Sequence, residues 1–216
     1  MTSTPHRHQQ LIDTLREAIE QSETRPLTVG EVVGNLQGGG LSLVSLVLTL
    51  PFLQPLSLGP VSIIGGAALT MLGWQMVQGR TQPWLPAKMA SLDLSPRVGR
   101  VLLQTCTKLL TMTGRIAKPR LTGWVRGRNA RRFAGAIVAA GGLLIVAPFP
   151  GIPFSNSLPA LAVAMVAIAE MEEDGLFMVG AVVALIASIV YLGAVGFAAF
   201  ELLRRLYEWG AGLFGG

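Results

Sequence analysis

Two long apolar stretches that are interrupted by prolines constrain the fold of this chain most strongly. Residues 32–79 and 133–169 contain no Asp, Glu, Lys or Arg, and a third uncharged stretch covers residues 175–200. Each of the first two is longer than the roughly 20 apolar residues of one membrane-spanning helix. Because proline removes a backbone donor and clashes with the preceding turn, neither stretch can form one continuous helix. The pattern predicts two broken helical segments, followed by one long transmembrane helix over residues 176–200.

The composition places these segments in a membrane. Of the 216 residues, 51% are hydrophobic and 13% are charged, against about 25% charged residues in soluble domains. A disordered chain is excluded, since such chains are rich in charge and poor in apolar residues. A soluble globule is disfavoured, because it must cover its surface with charge. The single cysteine, Cys106, excludes an intramolecular disulfide.

The two proline-rich breaks are the most irregular parts of the apolar stretches. Backbone that such breaks expose cannot face lipid, so it must be buried in protein or line a wet cavity. We therefore expect both breaks to lie inside the protein, against each other. The flanking apolar pieces are short for independent spans, which favours re-entrant hairpins, although a broken single crossing stays open. The break residues are Pro51, Pro55 and Pro60 in the first segment and Pro148, Pro150, Pro153 and Pro159 in the second.

The two broken segments resemble each other and predict an internal repeat. Pro51-Phe52 corresponds to Pro148-Phe149, and the later prolines follow in the same order. Paired interrupted hydrophobic segments in two halves of a chain are typical of transporters. The alternative is that any helical hairpin favours Pro and Gly in its turn.

The connection between the two segments is strongly basic. Residues 80–132 contain 12 of the 17 Lys and Arg residues, which predicts a cytoplasmic location by the positive-inside rule. Arg97, Arg100, Lys108 and Arg115 recur at helical spacing. They predict an amphipathic helix that lies on anionic lipid headgroups or docks a partner. Nucleic acid is disfavoured, because these residues adjoin membrane segments and lack interleaved aromatic residues.

We therefore expect an all-α integral membrane protein, built from two repeats with proline-broken hairpins, one long transmembrane helix and amphipathic surface helices. A homodimer is expected, since one copy offers little bulk to shield two irregular breaks. The charges leave the orientation of both termini open. The predicted divisions are amphipathic helices in residues 1–37, a first membrane repeat in 38–79, the basic connection in 80–132, a second repeat with the long helix in 133–203 and a tail in 204–216.

Polar residues inside the apolar segments are the candidates for a functional site. They either cap the ends of broken helices or line a shared cavity in which half-helix termini attract a substrate or ion. Both histidines lie in the first ten residues, and no catalytic or metal-binding motif is found, so we expect no enzyme activity, metal or cofactor. The candidates are Gln54, Gln75, Ser155, Asn156, Ser157 and Glu170.

An ordered set of short motifs resembles the ExoD family of bacterial exopolysaccharide-synthesis membrane proteins. The set runs over most of the chain and consists of Thr28-Val29-Gly30-Glu31, Leu50-Pro51-Phe52, Pro83-Trp84-Leu85-Pro86, Pro153-Phe154-Ser155-Asn156 and Glu173-Asp174-Gly175. The resemblance implies a multi-pass protein of the bacterial inner membrane that is linked to exopolysaccharide production and, in some bacteria, to alkali tolerance. It supplies no catalytic mechanism.

Two classes of function fit these expectations. The first is a small transporter or channel-like factor with a site between the two proline-rich breaks. The second is a non-transporting scaffold of the polysaccharide machinery, which docks lipid or a partner through the basic amphipathic helix.

Overall fold

Helices dominate the computed structural model, which describes residues 27–28, 40–54, 59–80, 84, 93–94, 108, 111, 117–147 and 152–214. Short 3-10 turns cover Leu50–Leu53 and Thr122–Trp124, and a two-residue strand β1, Leu27–Thr28, pairs antiparallel with β2, Asp93–Leu94. The helices with described bounds are α1 (Gly40–Thr49), α2 (Pro60–Val77), α3 (Arg128–Val146), α4 (Ser157–Glu172) and α5 (Gly175–Phe214).

The helical class predicted from the sequence is confirmed, apart from the short β1–β2 pair. Within the described residues, two helices are long and apolar enough to cross a membrane: α3 and the part Gly175–Leu202 of α5. Most of the predicted N-terminal helices and most of the basic amphipathic helix lie outside the described residues. The division of the chain into five parts stays a prediction.

Two helix boundaries differ from the predicted ones. Helix α3 begins at Arg128, before the uncharged stretch, and α5 continues well past residue 200 to Phe214. Charged residues extend α5 because they pair along its surface: Arg205 Nε lies 3.1 Å from Glu201 Oε1, and Arg204 Nε lies 2.9 Å from Glu208 Oε1. Such pairs at i and i+4 stabilise a helix that has left the apolar environment.

Each proline-rich break joins two helices that fold back on each other. Phe52 packs over α2, where a Cβ added to Gly65 would lie 2.3 Å from its ring. In the second segment, a Cβ added to Gly141 of α3 would lie 3.2 Å from the carbonyl oxygen of Pro159 in α4. The two segments therefore form helical hairpins, α1–α2 and α3–α4, as their prolines predict.

The two hairpins interleave, because α2 packs against α3 and α1 packs against α4. The α2–α3 contact is antiparallel and is made by glycines: Gly66 faces Gly142, and Gly73 faces Gly135. A Cβ on Gly73 would lie 2.3 Å from the backbone nitrogen of Ala139. Small residues allow two helix backbones to approach this closely, as is common between membrane helices.

The packing gives the bundle two different ends. One end, which we call the charged end, holds the start of α1, α3 and α5 and the end of α2 and α4; there Asp174 binds the backbone of Lys118. The opposite end, the break end, holds both proline-rich breaks, and Tyr191 of α5 reaches it. The exposed side chains of Trp74, Trp84 and Trp124 belong to residues of the charged end.

Large apolar side chains cover the outer surface of the helices. Ile64, Val190 and Phe197 are among those that are exposed. Large exposed apolar patches are rare on soluble proteins, whereas lipid tails cover apolar side chains at no cost. The core between the helices is also apolar and includes Leu69, Met76, Ile137, Val138, Val163 and Met178.

We predict that Gly73→Ala destabilises the protein and that Gly193→Ala does not. The new Cβ of Gly73→Ala would meet the Ala139 backbone nitrogen at 2.3 Å, and such overpacking costs about 1–3 kcal/mol. Nothing lies within 4 Å of a Cβ at Gly193 on α5, so helix propensity raises stability there by up to about 1 kcal/mol. Thermal unfolding of the purified variants in detergent measures both effects. Equal melting temperatures for the two variants would contradict the glycine-mediated packing of α2 on α3.

Candidate functional site

A buried hydrogen bond joins the two proline-rich segments at the break end. Asn156 Nδ2 donates to Ser62 Oγ at 2.7 Å. Asn156 is 4% exposed and Ser62 is 5% exposed. Asn156 precedes α4 but makes no side-chain cap bond to that helix. Its amide therefore reaches across to the first turn of α2 instead of closing its own helix end.

A second hydrogen bond connects the same two breaks. Ser157 Oγ donates to the backbone carbonyl of Gln54, which follows the 3-10 turn of the first break. Together with the Asn156–Ser62 bond, it fixes the register of one hairpin turn against the other. We call Ser62, Asn156, Ser157 and the Gln54 carbonyl the break cluster. The prediction that the breaks lie against each other is confirmed by these contacts.

The prediction that the breaks are enclosed is wrong for part of them. Phe52, Ser155 and Asn156 are buried, but Pro51 and Pro153 are exposed, as are Gln54, Gly59 and Phe154. A hairpin turn has no helix beyond it, so its outer residues lack protein neighbours within one chain. Pro60 and Pro159 lie in the first turns of α2 and α4, where proline is tolerated. Pro55, Pro148 and Pro150 lie outside the described residues.

The Gln54 side chain contributes to its own turn and not to the buried contact. Its Nε2 donates to the carbonyl of Pro51 at 3.3 Å, in an exposed position. On the other break, Tyr191 Oη of α5 donates to the carbonyl of Pro153 at 2.7 Å. These bonds satisfy two carbonyls that the prolines leave without helical partners. Helix α5 therefore supports the second break directly.

Gln75 lies at the charged end, where its side chain binds the backbone of Trp84. Its buried amide donates from Nε2 to the Trp84 carbonyl at 3.1 Å and accepts from the Trp84 amide at 2.6 Å through Oε1. Both functional atoms of the side chain are thus used by the backbone of one residue. The structure does not bring Gln75 into the break cluster with which the sequence analysis grouped it.

Glu170 also lies away from the break cluster, near the end of α4. Its Oε2 accepts a hydrogen bond from Ser42 Oγ at the start of α1. Residues of α1 that follow Ser42 continue a line of hydroxyl side chains: Ser45 and Thr49 are both fully buried. We call Ser42, Ser45 and Thr49 the serine row. The candidate residues therefore belong to two separate places, the break cluster and the contact between the serine row and Glu170.

Sequence reasoning missed the serine row, although its spacing was visible. Positions i, i+3 and i+7 of an apolar helix lie on one face, and all three of these positions in α1 carry hydroxyl groups. Single hydroxyls are common in apolar helices, because they bond to the carbonyl one turn back. Thr49 does this, donating to the Ser45 carbonyl at 2.6 Å.

An acidic latch fixes the start of α5 at the charged end. The buried carboxylate of Asp174 accepts from the amide of Lys118 through Oδ2 and from the amide of Leu176 through Oδ1, both at 3.0 Å. The Gly175 amide donates to the Arg120 carbonyl at 2.7 Å. Asp174 therefore caps the start of α5 and holds the backbone of Lys118 against it.

Basic side chains are exposed at the charged end, among them those of Arg120, Arg126 and Arg132. Arg126 Nη2 pairs with Glu173 Oε2 at 2.5 Å. Of the predicted lipid- or partner-binding residues, Lys108 is helical and exposed, whereas Arg97, Arg100 and Arg115 lie outside the described residues. Among the described residues there is no group of three or more His, Cys, Asp or Glu that could hold a metal ion.

Comparison with known proteins supports the resemblance seen in the motifs. The family model described as "Exopolysaccharide synthesis, ExoD" matches residues 11–194. A Rhizobium meliloti protein named ExoD is 32% identical over 190 residues, which cover 88% of this chain and 79% of that protein. An uncharacterized Synechocystis protein is 24% identical over 180 residues, which cover 81% and 82% of the two chains. No solved structure matches.

We predict that Asp174→Ala lowers stability more than Glu208→Ala. The first change removes a helix cap and leaves the part-buried amides of Lys118 and Leu176 without the acceptor they have here, which costs about 1–2 kcal/mol. Glu208 makes an exposed pair with Arg204, and such pairs contribute about 0.3–0.5 kcal/mol. Chemical or thermal unfolding in detergent measures the difference. A loss for Asp174→Ala no larger than that for Glu208→Ala would show that the latch does not hold the start of α5.

Proposed function

Because this chain belongs to the ExoD family of exopolysaccharide-synthesis proteins, we propose that it works in that process as a transporter-like protein of the bacterial inner membrane, with the break cluster as its site. The family description gives the process. The two apolar helices indicate membrane association. We further propose that the protein transports a substrate, that it crosses the inner membrane several times and that the break cluster is its site.

The position of Tyr191 along α5 gives the depth of the break end relative to the apolar part of that helix. Tyr191, which binds the second break, lies about 24 Å along α5 from Gly175 at 1.5 Å per residue. The apolar part of α5 continues to Leu202, about another 16 Å. The breaks are therefore level with the apolar part of α5, between Gly175 and Leu202, and not with the charged end of the bundle. Given a hydrocarbon core of about 30 Å, this favours re-entrant hairpins whose turns lie within the membrane.

The distribution of charge supports hairpin turns within the membrane and indicates which end of the bundle faces the cytoplasm. The described residues of the two breaks, 51–54, 59 and 152–156, carry no charge, while exposed arginines and three exposed tryptophans lie at the charged end. Basic residues favour the cytoplasmic side, and tryptophan favours the membrane interface. In the proposed arrangement both hairpins enter from the cytoplasmic face, and α5 crosses completely.

The Asn156–Ser62 hydrogen bond is the observation that carries the proposal. Polar side chains are costly within the apolar part of a membrane protein and mark functional sites there. The amide and the hydroxyl belong to two different hairpins, so a substrate that takes over either bond changes how the hairpins contact each other. Alternating access works through such a movement of one half of a transporter against the other. The substrate stays open between an ion, a proton and a polysaccharide precursor.

The second class, a scaffold that docks lipid or the polysaccharide machinery, remains as the alternative. The exposed basic side chains at the charged end and the exposed Lys108 favour it. An anionic membrane surface attracts such clusters by about 1 kcal/mol per basic residue. A homodimer is part of either proposal, since a second copy would cover exposed break residues such as Pro51 and Phe154.

We predict that Asn156→Ala reduces exopolysaccharide production in a strain that depends on this protein. Loss of the amide leaves Ser62 unsatisfied at a cost of about 1–3 kcal/mol, so we expect a decrease of about tenfold in polymer per amount of membrane-inserted protein. Asn129→Ala is the matched control, because Asn129 is exposed on the first turn of α3. Production that stays equal in the two strains would contradict a site at the break cluster.

We predict the opposite ranking if docking is the function. Changing Arg97, Arg100 and Lys108 to Glu would then abolish production, because reversed charge repels an anionic surface. Asn156→Ala would leave production at the level of the wild type. Exopolysaccharide measured in both strains, with the amount of protein in the membrane determined by immunoblot, separates the two functions.

A further inference from the structure

Ser45 is a fully buried hydroxyl group that has no hydrogen-bond partner among the described residues. Its exposure is 0%. An unsatisfied buried hydroxyl costs about 1–3 kcal/mol. Native proteins rarely leave such a group unpaired, and ordered water or an ion usually supplies the missing bond.

Other buried hydroxyls of the same chain show what an ordinary one does. Ser188 is likewise 0% exposed, and its Oγ donates to the Ala184 carbonyl at 2.7 Å. Thr49 makes the corresponding bond to the Ser45 carbonyl. The bond to the carbonyl one turn back is thus the local solution within these apolar helices. Ser45 does not adopt it, which marks this hydroxyl within the serine row.

The neighbours of Ser45 along α1 are suited to accept and pass on a hydrogen bond. Side chains three residues apart on a helix are neighbours, with Cβ atoms about 5–6 Å apart, so the proposed water would bind the hydroxyl groups of both Ser42 and Ser45. On one side, Ser42 donates its own proton to Glu170 and keeps its lone pairs for a donor. On the other side, Thr49 directly precedes the 3-10 turn of the first break.

We propose that Ser45, Ser42 and Glu170 form a proton relay that leads from the break end towards the charged end. The inference rests on the proposed transport function and names the proton as the species that moves. Water molecules that bind Ser45 complete the line to Ser42. Glu170, which is partly buried at the end of α4, is the group that receives the proton.

The chemistry of the row favours a proton over other species. Leu46, Ala164 and Ala167 pack around this part of the α1–α4 contact and are all buried, so a saccharide does not fit. The Glu170 carboxylate that accepts from Ser42 disfavours an anion at the row. Hard metal cations take about six or more oxygen ligands, and the row with Glu170 offers fewer side-chain oxygens. A proton needs only a line of groups that each donate and accept.

The transfer is balanced at every oxygen. A proton that arrives from water at Ser45 bonds to its Oγ, and the original Ser45 proton passes to the bridging water. That water passes one of its protons to Ser42, and Ser42 passes its proton to the Glu170 carboxylate. Each hydroxyl ends with one proton, the bridging water ends with two, and Glu170 gains one.

Proton flux into liposomes tests the relay. The full-length protein is reconstituted into phosphatidylethanolamine–phosphatidylglycerol vesicles that contain a pH-sensitive dye, and a potassium gradient with valinomycin imposes a membrane potential. We expect Ser45→Ala and Glu170→Gln each to lower the rate by about tenfold or more, because one missing link costs at least one hydrogen bond. Ser188→Ala is the matched control and should keep the rate of the wild type.

Stability separates a broken relay from a damaged fold. Ser45→Ala removes an unpaired hydroxyl from a buried position, so its melting temperature in detergent should equal or exceed that of the wild type. Ser45→Thr retains the hydroxyl and should retain more flux than Ser45→Ala.

Three results would overturn the inference: wild-type proton flux no higher than that of protein-free vesicles, Ser45→Ala flux equal to Ser188→Ala flux, or a sodium flux through the protein in place of a proton flux. The exopolysaccharide assay of Asn156→Ala stands apart from these results. A defect there without proton flux removes the relay alone, whereas proton flux without that defect removes the break cluster as the site.

Discussion

The close packing of α2 on α3 is the contact on which the other contacts of the bundle depend. With Gly66 and Gly73 against Gly142 and Gly135, the two backbones approach too closely for any larger side chain. This contact places the second helix of one hairpin beside the first helix of the other, and α1 and α4 then meet on the opposite side. Without it, Asn156 of the second hairpin would not reach Ser62 of the first.

The sequence predicted those parts of the fold that covalent chemistry and charge determine directly. Prolines forbid a continuous helix, and the missing charges require an apolar surrounding, so both hairpins and their mutual contact were predictable. Helix ends were less predictable, because charge does not by itself end a helix. The uncharged stretch predicted a long helix over residues 176–200, but the pairing of Glu201 with Arg205 continues α5 to Phe214.

For the candidate site, too, the sequence predicted single residues better than it predicted which of them meet in the fold. Asn156 was predictable as a polar residue within a break, and the structure gives it a buried partner from the other break. Gln75 and Glu170 were grouped with it by their chemistry, but each lies at the far end of a half-helix, and only the fold-back of the hairpins shows that this is the opposite end of the bundle. Ser45 is distinguished by a missing partner, which no sequence pattern can reveal.

The central claim is that the turns of both hairpins lie within the apolar thickness of a membrane. Electron paramagnetic resonance tests it on a Cys106→Ser background, since Cys106 is the only cysteine in the sequence. Nitroxide labels are attached at Phe154→Cys in the second break and at Glu208→Cys on the charged part of α5, in the protein reconstituted into vesicles. The account predicts that the label at 154 collides with oxygen more than with a water-soluble nickel complex, and the label at 208 the reverse. A label at 154 that is as accessible to nickel as the label at 208 would contradict it.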